Sequence, residues 1–196
     1  MYEYITGRVE SLTPASAVVE AGGVGYFLNI SIQTFSRIGS QTEVKLYTHF
    51  VVREDAQILY GFYDRAERDI FRLLIGVSGV GGNTARMILS SFTSEEVCRV
   101  VSTGQAELLK TVKGLGLKTA QKIIVELRDK IGGVASDAAV SAWRNDAADE
   151  TFAEAVSALT MLGFARQAAE KVLRGICKES PGVSVEELVR IALKRL

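Results

Sequence analysis

Two stretches of the chain carry the same residues at the same spacing, and those residues are suited to holding anions. The first runs Leu74-Ile75-Gly76-Val77-Ser78-Gly79-Val80-Gly81-Gly82-Asn83-Thr84-Ala85. The second runs Leu109-Lys110-Thr111-Val112-Lys113-Gly114-Leu115-Gly116-Leu117-Lys118-Thr119-Ala120. Leu74, Val77, Gly79, Gly81, Thr84, Ala85 and Ile88 recur 35 positions later as Leu109, Val112, Gly114, Gly116, Thr119, Ala120 and Ile123. A repeat at fixed offset takes precedence over other readings. Each copy predicts a helix, a tight hairpin and a second helix, with Val80 or Leu115 turned back to anchor the hairpin in a core. The glycines permit positive φ and leave the backbone bare. Free amide N–H groups at the start of the second helix, with the helix dipole behind them, suit a phosphate. Thr84 and Thr119 add hydroxyl donors, and Lys118 and Lys122 add charge to the second copy. Contacts of this kind touch nucleic-acid backbone and not bases, so binding is expected to be independent of base sequence.

A nucleotide-binding loop would require G-x-x-x-x-G-K-[ST]. Gly76 and Gly81 have that spacing, but Gly82-Asn83 follow where Lys-Ser/Thr belong, and Leu117 precedes Lys118-Thr119. Plain helix–turn–helix connectors are the simpler alternative, and the second copy at a fixed offset argues against it.

The whole-chain charge at first speaks against nucleic acid. Among 196 residues, 23 Lys and Arg balance 23 Asp and Glu. Divided where the pattern changes, residues 1–63 carry net −2, residues 64–133 net +3 and residues 134–196 net −1. Within the middle part, residues 108–125 hold Lys110, Lys113, Lys118 and Lys122 and no acid, a local basic stripe of the kind electrostatic binding needs. The composition, 47% hydrophobic and 23% charged, is that of a globular protein and excludes disorder and fibrous classes. No apolar run reaches the roughly 20 residues of a membrane span, and the N-terminus does not read as a signal peptide. Cys98 and Cys177 are too few and too far apart for a disulfide framework or a zinc site, and His49 is the one histidine. A cytoplasmic protein without metal or cofactor is expected.

The elements that must position the hairpins follow from periodicity. Val44, Leu46, Thr48, Phe50 and Val52 alternate with their neighbours as a strand does. Ile5–Val9, Ala17–Glu20, Tyr26–Ile30 and Ile58–Tyr63 supply four more runs, and five short strands in this length predict an OB-like β-barrel over 1–63. Glu54 and Asp55 fall in a tight turn, where a solubilising role is the plain reading. His49 reads as a structural or surface residue. Asp64 with Glu67 predicts a capping box opening the all-α segment 64–133, and Gly132-Gly133 predicts its C-cap. Residues 134–149, rich in Ala, Ser and Asp around Trp143, suggest a flexible linker. Residues 150–196 predict three helices, with Thr151 and Ser184 as caps. Their stripes are Val156, Leu159 and Leu162, then Val172 and Ile176, then Leu188, Ile191 and Leu193. An apolar patch near Met161-Leu162-Gly163-Phe164 suggests a protein partner.

Paired G-φ-G hairpins resemble the helix-hairpin-helix proteins that bind DNA backbone. The run VKGLGLKTAQKIIVELRDK, with THFVVREDAQILYGF at 48–62 and GVGYFLNIS at 23–31, is similar to the bacterial RuvA family in particular. The likeness follows the chain in order: barrel, tandem hairpins, linker, small C-terminal domain. It implies a multi-domain α+β protein with a UBA-like three-helix end. It also implies a non-catalytic subunit that binds four-way Holliday junction DNA as a homotetramer, with a second tetramer making an octamer on DNA left open. The ATP-driven motor RuvB and the resolvase RuvC are the implied partners, with Leu159, Leu162 and Phe164 toward the motor. Glu54 and Asp55 match an acidic pin at the centre of the tetramer. One departure is Gly82-Asn83, where the family usually has Pro-Lys; the first site would then rely on amides, Asn83 and Arg86. A helix-hairpin-helix glycosylase or nuclease remains open, although Asp129 is a lone carboxylate, and so does a general duplex- or RNA-binding module.

Overall fold

A computed structural model describes residues 2–143, 147–180 and 183–195, the side chains of residues 132–150 and of Lys178 apart. Residues 1–138 and 139–196 form two compact units.

The first unit opens with β1 (Tyr4–Thr13), β2 (Ser16–Ala21), β3 (Val24–Asn29), β4 (Glu43–Val52) and β5 (Gln57–Phe62). They close a barrel in the order β1-β2-β3-β5-β4, which leaves no edge strand. All neighbours pair antiparallel except β3 and β5, which run parallel at Asn29 and Tyr60. Ile5, Ala17, Val19, Leu28, Ile30, Val44 and Leu46 fill the interior. The alternation in β4 holds from Val44 through Thr48; Val52, near the far end, is exposed. His49 is half-buried against Phe71, and burial, then Arg72 and Arg68, hold its imidazole below the usual histidine value. The barrel also includes a helix that the strand reading passes over, α1 (Ile32–Ile38). Ser31 caps it by accepting from the Thr34 N–H at 3.0 Å, and Gly39 at φ 53° ends it. That serine and glycine bracketing Ile32, Phe35 and Ile38 were the available signal.

Helices α2 (Arg65–Ile75), α3 (Gly82–Ser91), α4 (Ser94–Ser102), α5 (Ala106–Leu109) and α6 (Leu117–Trp143) follow. Asp64 does cap α2, accepting from the Glu67 N–H at 2.8 Å. Glu67, however, does not complete a capping box. It is 3% exposed and accepts hydrogen bonds from the Ser31 and Thr34 hydroxyls, the latter at 2.7 Å. The Thr34 oxygen in turn accepts from the Tyr63 N–H at 3.0 Å. This buried network fastens the barrel to the helices, and Arg37 paired with Asp64 adds an outer tie. Desolvation raises the Glu67 pKa, against the two hydroxyl donors. The helical core also continues into the barrel: Tyr60 and Phe62 pack with Ile70, Phe71 and Leu74, the Tyr60 and Phe71 rings 4.7 Å apart. The reciprocal capping box of this unit lies at Thr93 and Glu96.

Gly132 and Gly133 do not end the long helix, since α6 runs through both to Trp143. Glycine inside a helix costs about 1 kcal/mol without forbidding it, and the alanines that follow favour helix. The linker expected over 134–149 is therefore helical up to Trp143 and again from Ala147, with 144–146 outside the described residues.

The second unit holds α7 (Ala147–Met161), α8 (Arg166–Glu179) and α9 (Val185–Ala192). Thr151 sits a turn inside α7 and so is not its cap, whereas Ser184 caps α9. Ala155, Val156, Leu159, Ala169, Leu173, Ile176, Leu188 and Ala192 make a thin core. On α9 the buried partner of Leu188 is Ala192, one turn on; Leu193 is exposed.

Candidate nucleic-acid interface

The two hairpins are built alike, bond for bond. In the first, the Val77 N–H donates to the Leu74 carbonyl at 3.1 Å, and the Val80 N–H to the Val77 carbonyl at 3.0 Å. In the second, Val112 donates to Leu109 at 3.1 Å, and Leu115 to Val112 at 3.0 Å. Gly79 and Gly114 sit at φ 91° and 85°, where a side chain is strained. Val80 and Leu115 are buried in the same core, so both hairpins are anchored by the residue between their glycines.

The second glycine of each hairpin has a different task. Gly81 has φ −86°, which any residue adopts, and Gly116 is likewise outside the positive region. A Cβ on either would meet nothing within 4 Å. These positions face open space in front of the helix start. The first intrahelical bonds run from the Ala85 N–H to Gly81 and from the Ala120 N–H to Gly116, each 2.9 Å. The amides of Gly82, Asn83 and Thr84, and of Leu117, Lys118 and Thr119, precede those bonds and have no partner within the helix. α1, α2, α4 and α9 have a side chain accepting from their first turn, whereas α3, like α5 and α8, has none. An anion can take that place, since the donors and the dipole both point at it.

The surrounding side chains divide into free and engaged. Asn83 and Lys118 are exposed, and Thr84 and Thr119 half-buried beside them. Among the described residues no ion pair involves Lys113 or Lys118, whereas Lys122 lies 3.9 Å from Glu126 and Lys110 3.4 Å from Glu107. Arg86 is not free: its Nη1 donates to the Ala15 carbonyl at 2.8 Å, tying α3 to the β1–β2 turn. Gly82 is a packing position as well as a donor, because a Cβ there would stand 2.3 Å from the Tyr60 hydroxyl. Nothing in the local sequence announces Tyr60, which reaches Gly82 from the barrel.

Glu54 and Asp55 are exposed at the tip of the β4–β5 hairpin, closed by the Arg53 N–H donating to the Ala56 carbonyl at 2.8 Å. In the second unit Leu159 is fully buried, so it belongs to the core and is not a contact surface. Leu162 is 60% and Met161 87% exposed, and Phe164 packs partly on the core below them. Gly163 at φ 98° ends α7 and turns the chain there.

Comparison with known proteins covers the chain from end to end. Residues 1–61 match the RuvA N terminal domain, residues 71–129 the SAM-like helix-hairpin-helix tandem, and residues 150–196 the RuvA C-terminal domain. A Holliday junction branch migration complex subunit RuvA of Bacteroides thetaiotaomicron is 52% identical over 201 residues, covering all of both chains. The subunit of the same name from Bacteroides fragilis is 50% identical, and that from Christiangramia forsetii 43%, again over all of both chains.

Proposed function

Because the chain belongs to the RuvA family along its whole length, we propose that it binds four-way DNA junctions without regard to base sequence. We infer further that it serves as the non-catalytic DNA-binding subunit of an ATP-dependent branch-migration complex. The observation that carries the reading is the pair of glycine-led helix starts, with matching backbone hydrogen bonds 35 residues apart. Two such cradles per protomer grip two points of the phosphate backbone, and amide donors are indifferent to the bases attached. In a homotetramer the cradles of four protomers would hold four arms. Glu54 and Asp55, at an exposed hairpin tip, would meet at the crossover and repel phosphates there, which helps part the strands. The second unit would dock the RuvB motor through the Met161–Phe164 corner, and the resolvase RuvC would act on the same assembly. ATP hydrolysis belongs to the motor. The protein would act in the cytoplasm, where the DNA is.

Mobility-shift titrations with a synthetic four-way junction, a three-way junction and linear duplex test this. The four-way junction should bind tightest, in a discrete complex. Equal affinity for linear duplex, or strand cleavage in the presence of magnesium, overturns the reading.

A further inference from the structure

The two cradles differ at equivalent positions. Lys118 of the second corresponds, 35 residues on, to Asn83 of the first, and Leu117 corresponds to Gly82. The first cradle thus lacks the ammonium group of the second. What it has instead comes from the barrel. Tyr60, on β5, is 4% exposed, yet its hydroxyl has no hydrogen-bond partner among the described residues. Among the described residues, the buried side-chain atoms without partners are His49 Nδ1 and Arg72 Nε and Nη2. The Tyr60 oxygen is not one of these, so it keeps some access to solvent. It lies against Gly82, where an added Cβ would lie 2.3 Å from the hydroxyl and 2.6 Å from Cζ. That spot is the first residue of α3, between the Gly81 cap and the unpaired Asn83 amide.

Ring packing does not account for the oxygen. Tyr60 packs tilted against Phe71 with centroids 4.7 Å apart, and a phenylalanine would do the same. A missing Cβ at Gly82 makes the room the oxygen occupies.

We propose that the Tyr60 hydroxyl donates a hydrogen bond to the phosphate held at the first hairpin, completing with the Gly82 and Asn83 amides a site that has no lysine. A phenol is neutral, so this contact adds affinity without releasing a counterion. The inference rests on the DNA-binding reading above.

Full-length Tyr60→Phe, titrated with a synthetic four-way junction across a salt series, tests it. A hydrogen bond to a charged group predicts an affinity loss of roughly tenfold per site. The slope of log K against log salt should stay that of the wild type, and so should the thermal midpoint. Asn83→Lys in the Tyr60→Phe background should restore affinity and steepen the slope by about one unit, since it places at the first hairpin the cation the second already has. Unchanged affinity of Tyr60→Phe at every salt concentration overturns the proposal while leaving the junction reading intact. A shallower slope for Tyr60→Phe also overturns it, because the loss would then belong to a displaced cation. Failure of the wild type to bind the junction sinks both.

Discussion

At the scale of single residues, exposed groups available to a ligand are distinct from groups that hold the fold, and sequence alone mixed the two. Lys118 is exposed and in no ion pair among the described residues, and Lys122 lies within 3.9 Å of Glu126. Replacing Lys118 with Ala should lower the salt slope of junction binding by about one unit, and replacing Lys122 by less, as read from affinities over a salt series. An unchanged slope for both removes them from the interface. Arg86 was expected to serve the first site, but it is held by the Ala15 carbonyl, a contact 71 residues away in sequence. Tyr60 and Glu67 were illegible for the same reason: their partners come from distant elements. Glu67 makes its own prediction. Its folded pKa is raised above the ordinary 4.5 by burial, so between that value and the folded one the native state binds more protons than the unfolded chain. The contribution of Glu67 therefore weakens as pH rises through that window and is constant above it. Glu67→Gln should remove this slope, measured as the wild-type-minus-variant difference in denaturant midpoint over a pH series. A difference that does not vary with pH contradicts the assignment.

At the scale of elements, the two glycines of each hairpin are expected to fail differently when replaced. Gly79→Ala and Gly114→Ala force a side chain into positive φ and should cost roughly 1–3 kcal/mol of stability. Gly81→Ser and Gly116→Ser meet no neighbour and give the helix a better cap, worth a few tenths of a kcal/mol. Yet the serine oxygen would accept from the amides meant for phosphate, so junction affinity should fall as thermal stability holds or rises. Parallel melting and binding curves check this; loss of both together refutes it. The hairpins were readable because a buried residue between two glycines leaves a local mark, and because it occurs twice. The strands were readable from alternation. What was not readable is where helices stop. Gly132-Gly133 has the composition of a terminus, but the continuation of α6 depends on the residues after it, which favour helix. Thr151 and Glu154 have the spacing of a capping box, but α7 had already begun at Ala147. α1 was missed although both its ends were signed, because a seven-residue helix is too short for periodicity to outweigh the strands around it.

At the scale of the whole molecule, each compact unit carries its own core, and a surface residue must be told from a core residue before a partner is assigned to it. Leu159→Ala should destabilise the second unit by about 2–5 kcal/mol through the cavity it leaves. Leu162→Ala should leave melting unchanged and weaken binding to the motor subunit, as measured by calorimetry with the full-length chain. If Leu162→Ala binds the motor like wild type, that corner is not the docking site. The balanced charge of 23 against 23 also acquires a reason. On the reading proposed above, phosphates are held through peptide groups, and such a chain has less need of surplus lysine. The glycine-led starts of α3 and α6 carry a practical consequence for anyone mapping this surface. Alanine scanning deletes side chains, and the amide donors proposed here have none to delete. Such a scan would undercount the grip and credit it to the few lysines it can remove. Only a change to the chain itself, such as an ester in place of the amide at Asn83 or Lys118, would weigh it directly.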